Sequence, residues 1–108
     1  MITIFEPTPL MSTYLLAFVI SEFDESSKSN ANNIRFGAFS RPEQIQNTLF
    51  GLETASKALE LYESAFETKY ELSKLDQVAL PVFNRGGMEN YGIIFYREDY
   101  FLYEPLVS

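Results

Sequence analysis

The 108-residue chain has no cysteine and no histidine. Without cysteine there is no disulfide framework and no thiolate for catalysis or metal binding. Without histidine, the commonest general base and the commonest zinc ligand are missing together. Cations are also in short supply: eight Lys and Arg stand against fifteen Asp and Glu, a formal net charge of -7. That balance argues against binding nucleic acid or an anionic membrane surface, since both require a cationic face. The acidic residues are scattered rather than blocked, which reads as solubility and not as an acidic tail. Long apolar runs are lacking too. Tyr14 to Ile20 is the strongest, far short of the ~20 residues a membrane-crossing helix needs. Met1 to Glu6 has neither the basic region nor the apolar stretch of a signal peptide, so an export signal is expected only outside this chain.

What remains is a chain 46% apolar, with seven tyrosines and ten phenylalanines. A domain of this size buries roughly two-thirds of its unfolded surface, and an aromatic-rich chain also suits a piece cut from a larger core. Pro7 and Pro9 punctuate the start. Met11 to Phe23 then reads as a strand, with Tyr14, Leu16, Phe18 and Ile20 on one face and Leu15, Ala17 and Val19 on the other. Apolar residues on both faces imply a sheet covered on each side. From Asp24 to Asn33 only Ala31 is apolar, so this stretch reads as a loop or linker. Ile34 to Phe39 is a short strand candidate.

Ser40, Arg41, Pro42 and Glu43 have the pattern of a capping box, with proline tolerated in the first turn. Ile45, Leu49, Leu52, Ala55, Leu59, Tyr62 and Phe66 follow at steps of three and four. Together they predict a helix of about 26 residues and roughly 39 Å. Gly51 inside it implies close approach to a neighbour or a slight break. Leu72 to Leu80, closed by Pro81, and Tyr91 to Tyr96 read as two further strands. The order strand, strand, long helix, strand, loop, strand predicts an α+β fold.

The loop is where chemistry concentrates. Gly86, Gly87, Met88, Glu89 and Asn90 combine backbone freedom with one carboxylate and one amide. Spacing alone favours a tight hairpin with the glycines at its turn and Glu89 an exposed strand residue. The alternative is a fixed carboxylate placed to receive a cation. Glu60, Glu63 and Glu67 read as a solvated helix face, Arg85 as a solvated turn residue, and Tyr96, Tyr100, Phe101 and Tyr103 as core or interface.

The wider pattern resembles the aminopeptidase N family of zinc metallopeptidases. Gly86 to Asn90 look like its G-A-M-E-N exopeptidase signature, with glycine at Gly87 in place of alanine. Lys74, Leu75, Asp76, Ala79, Leu80, Pro81 and Phe83 match the approach to that signature. Phe5, Glu6, Thr8, Pro9 and the run Met11 to Phe18 resemble the last strand of the family's N-terminal β domain. Arg41, Pro42, Leu59, Tyr62, Glu63 and Phe66 resemble the first helix of its catalytic domain.

The resemblance implies residues 1–23 at the end of a β domain, a polar linker at 24–33, and 34–108 opening a thermolysin-like catalytic domain. The fold would be incomplete, stopping before the zinc site. It further implies that Glu89 binds the free α-ammonium of a peptide substrate, that Gly86 and Gly87 present backbone groups, that Met88 borders the first side-chain pocket, and that Asn90 completes the motif. Family members hydrolyse with zinc held by an H-E-x-x-H helix and a later glutamate; no such motif occurs here. This chain is therefore expected to bind no metal and to be inactive alone, its partners being the substrate and the remainder of the catalytic domain. The family includes cytosolic enzymes and membrane ectoenzymes, with the ectoenzyme setting slightly favoured. Val82, Arg85 and Tyr91 stand where the family usually has aspartate, alanine and tryptophan, so side-chain preference does not carry over. From a different class, a non-catalytic interaction module, or a truncated gene product without peptidase activity, is the competing expectation.

Overall fold

A computed structural model describes residues 2–103; the last part of the expected 34–108 region, 104–108, lies outside them. The fold is α+β. Strands β1 (Asp24–Ser29), β2 (Arg35–Ser40), β3 (Lys74–Leu80), β4 (Gly87–Asn90) and β5 (Ile93–Arg97) form one sheet in the order β1-β2-β3-β5-β4. The three central strands run parallel, and each edge strand is antiparallel to its neighbour. Parallel neighbours need a crossover. Between β2 and β3 it is made by a 3-10 segment, Pro42–Thr48, continuing into α1, Leu49–Ala65. A one-turn helix, α2 (Glu98–Phe101), follows β5 directly.

The sheet has two differently covered faces. On the α1 side, Ile34, Phe36, Ala38, Ala79 and Phe101 enclose Leu52 of the helix, with Ala55 and Leu59 packed alongside. On the opposite side Val78, Ile93 and Phe95 form a second cluster, joined by Phe39, Met88, Ala17 and Phe23. The register explains the row: Phe39 pairs with Val78, Val78 with Phe95, and Phe95 with Met88. Side chains paired across a ladder share a face.

Two sequence expectations exchange places. Met11 to Phe23 was expected as a strand buried on both faces; it is an unladdered segment with one 3-10 turn at Thr13–Leu15. Tyr14, Leu16, Phe18 and Ile20 are exposed, the last at 90%. Apolar alternation makes a strand only where a neighbour accepts its backbone hydrogen bonds, and among the described residues no strand pairs with this segment in a ladder. The polar stretch read as a loop is instead β1, in full register with β2 from Asp24↔Ser40 to Ser29↔Arg35. Polar side chains suit an edge strand. Here Ser26 Oγ meets Thr48 Oγ1 at 2.8 Å, and Lys28 donates to Glu53 at 2.8 Å. Asn30 closes the hairpin, its Oδ1 accepting from the amides of Asn32 and Ile34 at 3.0 Å, with Asn33 at φ +62°.

The expected 26-residue helix is divided. Its first seven residues are the 3-10 segment, and α1 has 17. The capping box does not form. Ser40 ends β2 fully buried, and its hydroxyl donates to the Arg41 carbonyl at 3.0 Å, while the Glu43 carboxylate accepts from Arg41 at 2.7 Å. Arg41 also donates from Nε and an Nη to both oxygens of Glu98, at 2.8 and 2.9 Å. These hydrogen bonds hold its guanidinium pKa above the ordinary value against the opposing effect of desolvation.

Gly51 makes the close approach its position implied. A Cβ there would lie 2.3 and 2.7 Å from Cε1 and Cζ of Phe101. Phe101 is itself fixed, buried and stacked on Tyr96 with centroids 5.0 Å apart and planes 9° from parallel. In a free helix Gly51→Ala would stabilise by about 1 kcal/mol. Here overpacking of about 1–3 kcal/mol opposes that gain, and we expect net destabilisation, read as a lower urea midpoint. An unchanged or higher midpoint would show that the Phe101 ring yields freely.

Candidate functional site

Gly86 to Asn90 come together at the sheet edge: Gly86 closes the loop from β3, and the other four residues are β4. The hairpin expected at the glycine pair is displaced. The chain turns at Tyr91 and Gly92, and Gly92, not Gly86 or Gly87, has positive φ, at +77°. Glu89 is an exposed strand residue, as the hairpin reading required. Gly86 serves close approach instead: a Cβ on it would sit 2.3 Å from Cε2 of Tyr100.

The alternation of β4 divides the motif between the two faces. Gly87 and Glu89 pair with Tyr96 and Ile94 and so face α1, whereas Met88 and Asn90 pair with Phe95 and Ile93 on the other side. Met88 joins the second apolar cluster. Asn90 Nδ2 donates to the Tyr14 carbonyl at 3.3 Å, and the neighbouring Tyr91 amide donates to the Leu15 carbonyl at 2.8 Å. The segment before β1 thus ties down the end of β4.

The backbone divides as well. The Arg97 amide donates to the Gly86 carbonyl at 3.1 Å. Hydrogen-bonded pairs alternate along an antiparallel ladder, so Met88 and Asn90 spend their backbone groups on β5. Gly87 and Glu89 direct theirs to the open side, where no strand pairs among the described residues. The edge therefore offers free N–H and C=O groups beside the Glu89 carboxylate.

Glu89 borders a cleft of about 620 Å³ between the C-terminal half of α1 and the sheet. Leu59, Tyr62, Phe66, Leu75 and Ile94 supply apolar walls, and Glu63, Glu71 and Glu89 outnumber the single cation, Lys69. A cleft with apolar walls and excess carboxylate suits an amine carrying an apolar group. Of the three glutamates expected on one helix face, Glu60 is exposed on α1, Glu67 is exposed in the turn beyond its end, and Glu63 accepts from the Tyr70 amide at 2.8 Å. Among the described residues, no three of His, Cys, Asp and Glu gather as a metal-binding group. No helix among them is long and apolar enough to cross a membrane.

A family model described as the peptidase family M1 domain matches residues 50–108. The chain belongs to peptidase family M1. It is 40% identical over 109 residues to aminopeptidase N of Oryctolagus cuniculus and 43% identical over 109 residues to aminopeptidase Ey of Gallus gallus, each alignment covering 99% of this chain. It is 38% identical over 104 residues to endoplasmic reticulum aminopeptidase 2 of Homo sapiens, covering 96% of this chain. In each case it spans 11% of the relative's length.

Sequence reasoning noticed Tyr100 within the aromatic run but gave it no role. Its contact with Gly86 depends on how α2 returns to the sheet edge, which spacing does not encode. The anchoring of Asn90 joins residues 76 positions apart and had no local signal either.

Tyr70, on the cleft wall, donates its hydroxyl to the Lys74 carbonyl at 3.0 Å. Burial, and then the nearby Asp76 and Glu71 charges, push its pKa from 10.0 up to about 12. An acid whose pKa rises on folding contributes stability that is complete below the unfolded pKa and is lost as pH climbs through the folded value. Stability should therefore fall between pH 10 and about 12. In Tyr70→Phe, urea midpoints should start lower and decline less over that interval; an identical decline would remove Tyr70 from the titration.

Proposed function

We propose that this chain is the substrate-anchoring part of a zinc aminopeptidase that removes N-terminal residues from peptides. One observation carries the reading: in the run Gly86 to Asn90, the Glu89 carboxylate stands on an edge strand at the rim of an acidic, apolar-walled cleft. In this reading a peptide lies along β4 as an added strand, held by the outward backbone groups of Gly87 and Glu89. The Glu89 carboxylate takes the substrate α-ammonium, and Gly86 and Gly87 leave room for the peptide backbone. Met88 and Asn90 belong to the same motif and support it from the far face.

The division of 1–23 as the end of a β domain and 34–108 as the opening of the catalytic domain is part of the proposal. β1 occupies most of the intervening 24–33, so the junction would be a laddered edge rather than a slack tether. The zinc and its general base would come from the remainder of the catalytic domain, because this chain has no histidine to contribute.

A charge-assisted hydrogen bond from ammonium to carboxylate is worth about 1.5–3 kcal/mol, or roughly ten- to a hundredfold in an equilibrium or rate constant. In the full-length enzyme containing this chain, Glu89→Gln should lower kcat/KM for an aminoacyl reporter by about that factor. Unchanged kinetics would sink the role of Glu89. In the isolated chain, NMR titration with leucyl-glycinamide should shift the β4 amides more than its N-acetylated form does. Equal responses would favour the non-catalytic interaction module.

A further inference from the structure

Strand β4 is poorly secured for a segment meant to place a carboxylate. It has a ladder on one side only, and its first residue, Gly87, and Gly86 just before it have no side chains to pack. At its far end Asn90 and Tyr91 are tied to Tyr14 and Leu15. At its near end the neighbours are Arg97 and Tyr100.

The Tyr100 ring touches the Gly86 backbone closely enough that a Cβ would fall 2.3 and 2.6 Å from Cε2 and Cδ2. Although 64% exposed, the ring is not free. The Arg97 guanidinium lies 4.5 Å from its centroid, within cation–π range. That guanidinium is itself fixed by Asp99, donating from Nε at 2.7 Å and from an Nη at 3.0 Å. The same residue's amide holds the Gly86 carbonyl. Tyr100 also rides on a short helix that is locked in place, with Phe101 buried beneath α1 and Glu98 gripped by Arg41.

We propose that Tyr100 is a positioning residue: its ring, oriented by Arg97, replaces the side-chain packing that Gly86 and Gly87 lack and so sets where β4 presents Glu89. The glycine is required because the ring occupies the space of a Cβ. The ring acts by shape, and its hydroxyl is dispensable. This inference rests on the reading of Glu89 as amine anchor for its functional consequence, but not for its structural one.

The test separates the two. In Tyr100→Ala, hydrogen exchange at the Met88 and Arg97 amides, which bond across β4 and β5, should quicken at least fivefold while exchange in β3 and α1 stays as in the parent chain; Tyr100→Phe should restore parent rates. Leucyl-glycinamide should bind Tyr100→Ala at least fivefold more weakly and Tyr100→Phe as the parent does. Unaltered exchange at the Met88 and Arg97 amides in Tyr100→Ala overturns the positioning role. If Tyr100→Ala loses its folded spectrum, Arg97→Gln carries the same test, since it leaves the ring without its cation, and unaltered exchange there overturns the role equally. If the parent chain does not distinguish leucyl-glycinamide from its N-acetylated form, the amine-anchor reading fails, and exchange alone decides for or against Tyr100.

Discussion

The contact on which most of the described structure depends is the Phe101 ring, set between Gly51 of α1 and Tyr96 of β5. It joins the crossover helix to the sheet at a point where α1 offers no side chain of its own. Because α2 has a single turn, its position cannot come from helix propagation, which is unfavourable at that length. It comes from Phe101 below and from the paired hydrogen bonds of Arg41 to Glu98 at its start. Once α2 is fixed, Tyr100 and Glu98 are fixed with it. The edge where β4 lies thus inherits its geometry from a ring buried on the α1 side.

Electrostatics reinforce this arrangement locally. Several of the cations are committed to carboxylates: Arg41 to Glu98 and Glu43, Arg97 to Asp99, Lys28 to Glu53, and Lys74 to Asp76. Hydrogen bonding by Arg97 holds Asp99 below the usual carboxylate range, and Lys28 does the same for Glu53. Exposed pairs contribute little to stability, so their effect is orientation. With those cations engaged elsewhere, the cleft beside Glu89 retains three carboxylates against Lys69.

Much of the architecture was legible from local pattern. The apolar stripe located α1, the runs ending at Leu80 and Tyr96 located β3 and β5, and Gly51 announced a close neighbour. The motif from Gly86 to Asn90 was visible in its residues, and the last four of them form the edge strand β4. The failures share a cause. Met11 to Phe23 has strand composition without a ladder, and Asp24 to Ser29 has loop composition within one. Pairing depends on which backbone lies alongside, and composition reports only which side chains tolerate it. The capping box failed similarly, since Arg41 drew the Glu43 carboxylate away from the helix end.

By itself, then, the sequence determined the α+β class, the family, and the five residues of the candidate site, because each is written in contiguous residues or short periodicities. Tertiary structure decided how those five are placed. It put Gly87 and Glu89 on the sheet face toward α1 and Met88 and Asn90 on the other, left one set of backbone groups unpaired, and brought Tyr100 under Gly86. Those outcomes follow from strand register and from contacts between distant segments, such as Tyr14 with Asn90. A register shift of one residue would exchange the two faces without altering a letter of the sequence.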